Sequence, residues 1–311
     1  CEGKIKTGVT ALIPHSGIIF MEKLICSSYV INGFGKSCGL LQIEELGTLE
    51  APIILTNTLS VGTASTALVK YMLENNEDIG KRFGTVNPVV CECNDGFLND
   101  IRGLHVKEEH VFQAIENADI KFQEGNVGAG TGMSCYQLKG GIGSASRIIK
   151  LDDEEYTIGA LVLSNCGLKK DLMINGKKIG EKIISSEKED ELEKGSIIII
   201  IATDIPLSER QLKRISKRVP VSLARTGSHI GNGSGDIVIS FTTANKVNHH
   251  EKKDIVNMKM INENKIDTVF RAAIETAEES IISSLLHSTS TTGRDGNTRE
   301  SLNKYIDFIL K

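Results

Sequence analysis

Two hydrophobic periods run through this chain, and they meet most abruptly at one boundary. From residue 177 to residue 194 the sequence carries eleven charged residues of both signs, which predicts a solvated loop. Directly after Gly195 and Ser196 come five consecutive isoleucines, Ile197 to Ile201. β-Branched side chains crowd a helix and pack well on a pleated surface, so the run predicts a strand buried on both faces. The same reading predicts strands over residues 6–13, 51–57, 88–92, 156–163, 221–225 and 237–241. Helical spacing predicts three further elements: a helix capped by Ser60 with Ala64, Leu68 and Met72 on one face, a short helix over residues 107–118 around Val111, Phe112 and Ile115, and a long one from Asp267 to Leu286. Ser208 to Gln211 has capping-box form and opens a helix with Leu212, Ile215 and Val219 inward. Strands interleaved with single-striped helices predict layers of helix on sheet, an α/β arrangement in the broad sense of α+β.

Composition narrows the function classes. The 311 residues are 40% hydrophobic and 24% charged, with a net charge of −4, which fits a globular protein and argues against nucleic acid or an anionic membrane as the main partner. Lys213, Arg214, Lys217 and Arg218 form the one basic patch, read as a solvated helix face. No run approaches the length of a membrane span and no signal-peptide pattern opens the chain. Seven cysteines without paired spacing predict thiols in a reducing, cytoplasmic setting. Cys91 and Cys93 share one face of a strand without a partner pair, which predicts burial rather than zinc. With Cys1 where a methionine is expected, the chain reads as processed or as lacking its natural start. No repeat is found, and the charged stretch reads as lying inside one domain spanning residues 1–311.

Candidate chemistry gathers at Gly195-Ser196. A hydroxyl entering a core strand behind a residue without a Cβ is placed to attack the preceding carbonyl, shifting the peptide to an ester that water cleaves. Residues 1–195 and 196–311 would separate as chains, and Ser196 would gain an α-amine of pKa about 8 to deprotonate its own hydroxyl. An ordinary loop before a strand is the plain alternative. Asn165, at a strand end before Cys166-Gly167, is either a turn former or an amide donor aimed into a cleft. Ser234 and Asp236 alternate as strand residues do and can hold a nearby amine from one side, or simply build a loop. The glycine-dense segment Glu124 to Met133 predicts close backbone approach; its spacing fits neither a dinucleotide nor a P-loop pattern. Asp95 and Asp100 lie in a loop that reads as turns rather than a cation site.

Taken together, several stretches resemble the DmpA-type aminopeptidases, the family of L-aminopeptidase/D-amidase-esterases and β-peptidyl aminopeptidases. They are Lys6 to Ala11, Thr56 to Gly62, Asp95 to Asp100, Glu124 to Met133, Lys139 to Gly143, Gly195 to Pro206, Ala224 to Gly227, Gly231 to Asp236 and Thr292 to Gly296, in order along nearly the whole chain. The resemblance implies a four-layer αββα sandwich of the N-terminal-nucleophile hydrolase type that cleaves itself before a serine. It implies Ser196 as nucleophile, Gly195 before the scissile bond, Asn165 as oxyanion donor with Tyr136 lining the same pocket, Ser234 and Asp236 steadying the amine, and Glu124 receiving a substrate ammonium. Some relatives have glutamate where Asp236 stands. Short peptides, amides or esters with a free amino terminus are the implied substrates, with no metal or organic cofactor and assembly as a homotetramer. Family members carry an extra segment ahead of Lys6. The rivals are an ornithine-acetyltransferase-type acyltransferase, which cleaves at a threonine, a cysteine-type hydrolase using Cys1, and a non-catalytic protein retaining the fold.

Overall fold

The five isoleucines form the middle of the central strand of a six-stranded sheet. A computed structural model of the chain describes residues 3–82, 84–184 and 195–310; Cys1 and most of the expected charged loop lie outside the described residues. In chain order the first strands are β1 (Thr10–Leu12), β2 (Glu22–Gly33), β3 (Thr48–Leu49), β4 (Ile53–Asn57) and β5 (Val89–Cys93). Next come β6 (Ser134–Cys135), β7 (Leu138–Lys139), β8 (Ile142–Leu151), β9 (Glu154–Asn165), β10 (Met173–Ile174) and β11 (Lys177–Lys178). The series closes with β12 (Ser196–Thr203), β13 (Gly235–Asn248), β14 (Thr291–Thr292) and β15 (Thr298–Arg299). The helices are α1 (Leu40–Leu46), α2 (Val61–Asn75), α3 (Glu108–Glu116), α4 (Ile179–Ile183), α5 (Glu209–Ser216), α6 (Pro220–Thr226), α7 (Ile266–Leu286) and α8 (Ile306–Leu310).

The large sheet runs β3-β2-β13-β12-β9-β8, and a second, three-stranded sheet runs β1-β4-β5. Alternation along β12 joins two cores. Ile198 and Ile200 point between the sheets with Ile54, Cys91 and Leu163. Ile197, Ile199 and Ile201 point the other way, into a core with Ala273, Ala277 and Ile281 of α7. A strand apolar on both faces is the signature of burial on both sides, at about 1.5–3 kcal/mol per isoleucine. Helices α5 and α7 pack on the outer face of the large sheet and α2 and α3 cover the small one, giving the αββα order of the N-terminal-nucleophile fold.

Several expectations are corrected. Residues 221–225 lie in helix α6, not a strand: Pro220 sits at the first helical turn, where its fixed φ suits a helix start, and Gly227 ends the helix at φ 102°. Residues 177–183 form β11 and α4 rather than loop, because Ile179 and Ile183 are buried. Ser60 makes no capping bond; Asn57 accepts from Leu59 N at 3.0 Å and caps the preceding turn. Strands β2 and β8 were not anticipated. The Ser208 capping box forms as expected, Gln211 N donating to Ser208 Oγ at 3.3 Å and Ser208 N to Gln211 Oε1 at 3.2 Å. The basic patch is used within the chain: Lys213 pairs with Glu44, Arg214 with Glu263, and the Arg218 guanidinium lies 3.8 Å from the Phe270 ring centroid.

Candidate active site

Three strand ends meet at Ser196. In register it faces Gly235 on β13, to which β12 runs parallel, and Asn165 on the antiparallel β9. The Gly235 N–H points at two oxygens, the Ser196 hydroxyl at 3.2 Å and the Gly195 carbonyl at 3.1 Å. One donor thus faces both the serine hydroxyl and the carbonyl of the residue before it. Gly195 has no room for a side chain, since a Cβ there would stand 2.1 Å from the Asn165 carbonyl oxygen. Asp236, 1% exposed, accepts from Ile197 N at 3.1 Å on one carboxylate oxygen and from the Ser234 hydroxyl at 2.6 Å on the other. The structure therefore brings Gly195, Ser196, Asn165, Ser234 and Asp236 into one cluster.

The Asn165 amide is held at both ends. Its Oδ1 accepts from Ser134 N at 2.7 Å and its Nδ2 donates to the Asn94 carbonyl at 3.1 Å. The second Nδ2 hydrogen has no acceptor among the described residues. Tyr136 and Gln137 form the two-residue turn between β6 and β7 with φ 51° and 53°, a left-handed geometry that costs non-glycine residues energy. Tyr136 is fully buried: its N–H donates to the Cys166 carbonyl at 2.6 Å and its hydroxyl to Thr226 Oγ1 at 2.8 Å. It braces the turn after Asn165 in this way. The glycine-dense segment approaches the protein's own backbone; a Cβ on Gly130 would stand 2.5 Å from the Gly125 carbonyl oxygen. Lys139, fully buried, donates to the carbonyls of Gly130 and Gly140, and burial lowers its pKa to about 7. Asn94 builds the turn of the 94–100 loop by accepting from Gly96 N at 2.9 Å.

Glu124 stands apart from this cluster. It accepts from Ser144 and Ser283 and lies 3.2 Å from His287 Nδ1. Ser144 pairs with Leu161, and Leu161 with Ile200, four residues along and two strands across from Ser196, about 13 Å by about 10 Å. A different carboxylate, which sequence reasoning missed, is closer. Glu92, 3% exposed at the end of β5, accepts from Lys36 N at 2.8 Å and from the Thr58 hydroxyl. A Cβ on Gly35 would lie 3.2 Å from Glu92 Oε1 and 3.8 Å from Gly235 Cα, so this carboxylate borders the serine's own hydrogen-bond donor. The available signal was a glutamate inside the apolar run Val89 to Cys93, where a charge is costly without a purpose. Phe34, Leu59 and Phe97, exposed by 61%, 51% and 38%, lie on the chain segments around the cluster. Cys91 and Cys93 are buried, and burial pushes the Cys91 thiol up to about 12.

Comparison with known proteins adds four findings. The pattern of peptidase family S58 matches residues 1–299. The beta-peptidyl aminopeptidase BapA of Sphingosinicella microcystinivorans is 35% identical over 316 aligned positions, covering 97% of this chain and 78% of that protein. Among solved structures, a protein of Pyrococcus horikoshii OT3 superposes with a TM-score of 0.94 at 50% identity, over 100% of this chain and 88% of its own. An L-aminopeptidase D-Ala-esterase/amidase of Ochrobactrum anthropi, described as a prototype of the serine aminopeptidases and a variant of the Ntn hydrolase fold, superposes at 0.91 with 34% identity, over 98% and 85%.

Proposed function

Because this chain belongs to peptidase family S58 and is an aminopeptidase-type hydrolase of the N-terminal-nucleophile fold, we propose that it matures by cutting itself between Gly195 and Ser196 and then works through the liberated serine. The observation that carries this reading is the Gly235 N–H shared by the Ser196 hydroxyl and the Gly195 carbonyl. In the self-cleavage step Ser196 Oγ adds to the Gly195 carbonyl carbon and the Gly235 N–H stabilises the oxyanion. The C–N bond breaks, leaving an ester that water hydrolyses, and residues 1–195 end in a carboxylate.

In turnover the new α-amine of Ser196 takes the hydroxyl proton as Oγ attacks the substrate carbonyl, then passes it to the departing amine. Asp236, fixed by Ser234, is one residue away and stabilises the ammonium that forms once the amine has taken the proton. Asn165 donates to the developing oxyanion, a contribution of about 3–4 kcal/mol in comparable sites. Water then releases the acid. Glu92 receives the substrate ammonium, a role that its position supports better than that of Glu124, and Phe34 and Leu59 offer apolar contact to the acyl side chain. The substrates are short peptides, amides or esters with a free amino terminus.

The matched family and relatives are peptidases, which leaves the acetyltransferase reading without support; a Cys1 nucleophile falls outside the described residues. A cytoplasmic location and homotetrameric assembly complete the proposal, the first supported by Cys26, Cys38, Cys91 and Cys93 standing as thiols. Intact mass and N-terminal sequencing test the core of it. The purified protein is expected as two chains, the second beginning at Ser196, while Ser196→Ala stays single and inactive toward aminoacyl p-nitroanilides. A wild-type chain that is active yet unsplit overturns it.

A further inference from the structure

We propose that Asn32 aims the Gly235 N–H, as a positioning residue that acts on self-cleavage and turnover through the Ser234-Gly235 peptide without touching the substrate. This rests on the maturation reading above and adds to it a residue outside the cluster around Ser196.

A bulge in β2 puts the asparagine where it is. Asp236 of β13 pairs with Asn32, but the next residue, Ile237, pairs with Val30, so Ile31 is one residue too many on β2. An extra residue bends its strand and re-aims the side chain beside it. The Asn32 amide reaches over the loop that enters β13, where its Nδ2 donates to the carbonyls of Gly231 at 3.3 Å, Asn232 at 3.2 Å and Ser234 at 2.5 Å. Three carbonyl oxygens around one terminal atom require the amide nitrogen there, since the amide oxygen would be repelled by all three. The loop needs such a clamp. Ile230 stands at φ 58°, a left-handed conformation that a β-branched residue keeps only when its surroundings enforce it.

The bond to Ser234 matters most. That carbonyl also accepts from Phe34 N at 3.2 Å, so two donors fix its oxygen. A peptide group is planar, and fixing its carbonyl fixes the direction of the N–H at its other end. This N–H is the one on Gly235, directed at the Ser196 hydroxyl at 3.2 Å and the Gly195 carbonyl at 3.1 Å. Hydrogen bonds accepted by the carbonyl also polarise the peptide and strengthen its N–H as a donor. Ser234 and Asp236, joined to each other at 2.6 Å, flank the same peptide and are placed by the same clamp. Asn32 precedes the cut and the loop follows it, so this contact holds the two products in register at the reacting bond.

The test follows full-length chain made by cell-free synthesis with a labelled pulse, and reads on gels the rate at which it splits. N32L keeps the size of the side chain and removes its donors; splitting is expected to slow by about tenfold or more, the scale of a hydrogen bond to a charged group. S27A removes a side-chain hydrogen bond from the same strand away from the loop, and is expected to split at the wild-type rate. N32D sets a carboxylate against the three carbonyls, and protonation returns one donor. Its rate relative to wild type is expected to rise as pH falls from 8 to 5, while the N32L ratio stays constant. Once split, N32L is expected to lose kcat on an aminoacyl p-nitroanilide with KM near wild type, since Asn32 meets no part of the substrate. N32L splitting as fast as wild type, S27A slowing as much as N32L, or an N32D ratio flat with pH overturns the inference. If wild type splits and N32L keeps pace, this inference falls alone; a wild-type chain that never splits removes the maturation reading as well.

Discussion

At Gly195 the demand for glycine is steric, since a methyl group there would collide with the Asn165 carbonyl oxygen at 2.1 Å. Gly195→Ala must push the scissile carbonyl off the Gly235 N–H, and the variant is expected to remain largely unsplit by gel analysis while folding. Glu92→Gln keeps shape and removes the charge proposed to pair with an ammonium. Its kcat/KM on free aminoacyl substrates is expected to fall about 10–100-fold, with the parallel Glu124→Gln change having a much smaller effect. Equal losses in the two variants would return the ammonium to Glu124. Asp95 yields a pH prediction. Burial raises its pKa from 3.8 to about 6, against hydrogen bonds from Thr7 and Asn99, and its Oδ2 is buried with no hydrogen-bond partner among the described residues. The folded state holds the proton more tightly than the unfolded one, so this residue's contribution to stability is greatest below pH 4 and declines as pH rises through 6, on the order of 3 kcal/mol. Urea titrations at pH 4, 5, 6 and 7 are expected to show a shallower decline in Asp95→Asn than in wild type; parallel curves would place the buried proton elsewhere.

Among the elements, β12 was legible because five β-branched residues in a row admit no single-faced helix, and α5 and α7 because their apolar stripes recur at helical spacing. Strand β2 was hidden by its composition. Glu22–Gly33 mixes Ser27, Ser28 and Asn32 with apolar residues, and its inner hydroxyls are accommodated by neighbouring chain: Ser27 donates to Glu209 at 3.2 Å. Helix α6 went unread because a short apolar run carries no period, and the decisive residues, Pro220 and Gly227, lie at its margins. For the site, Ser196, Asn165, Ser234 and Asp236 follow from strand ends and family motifs, whereas Glu92 carries only the signal of a charge inside an apolar run, and its nearness to Gly235 appears when the segment after β2 meets β5 at Gly35. Packing between elements makes its own prediction at Gly143. A Cβ there would stand 2.1 Å from the Ser280 carbonyl oxygen and 2.6 Å from Ser284 N, both backbone atoms of α7. Gly143→Ala must lift that helix from β8, and a loss of at least 2 kcal/mol, about the size of a severe core substitution, is expected in urea unfolding. A neutral outcome would mean that α7 yields easily.

For the whole molecule, the topology decides what the proposed self-cleavage can release. The order β3-β2-β13-β12-β9-β8 inserts β12 and β13, from residues after 195, between β2 and β9, from residues before it. Neither product holds a continuous large sheet. The second fragment also carries α5, α6 and α7, which cover the outer face of a sheet made by both. Separating the products would break two strand junctions and expose four unpaired strand edges together with the isoleucine core, a cost far above any binding energy lost when one peptide bond is broken. The cleaved protein is therefore expected to elute from gel filtration as one species containing both chains in equal amounts, to melt in a single transition, and to resolve into two chains only in denaturant. Should residues 196–311 separate from residues 1–195 in native buffer, the interleaved pairing of β2 with β13 and of β12 with β9 could not be the principal bond between the halves.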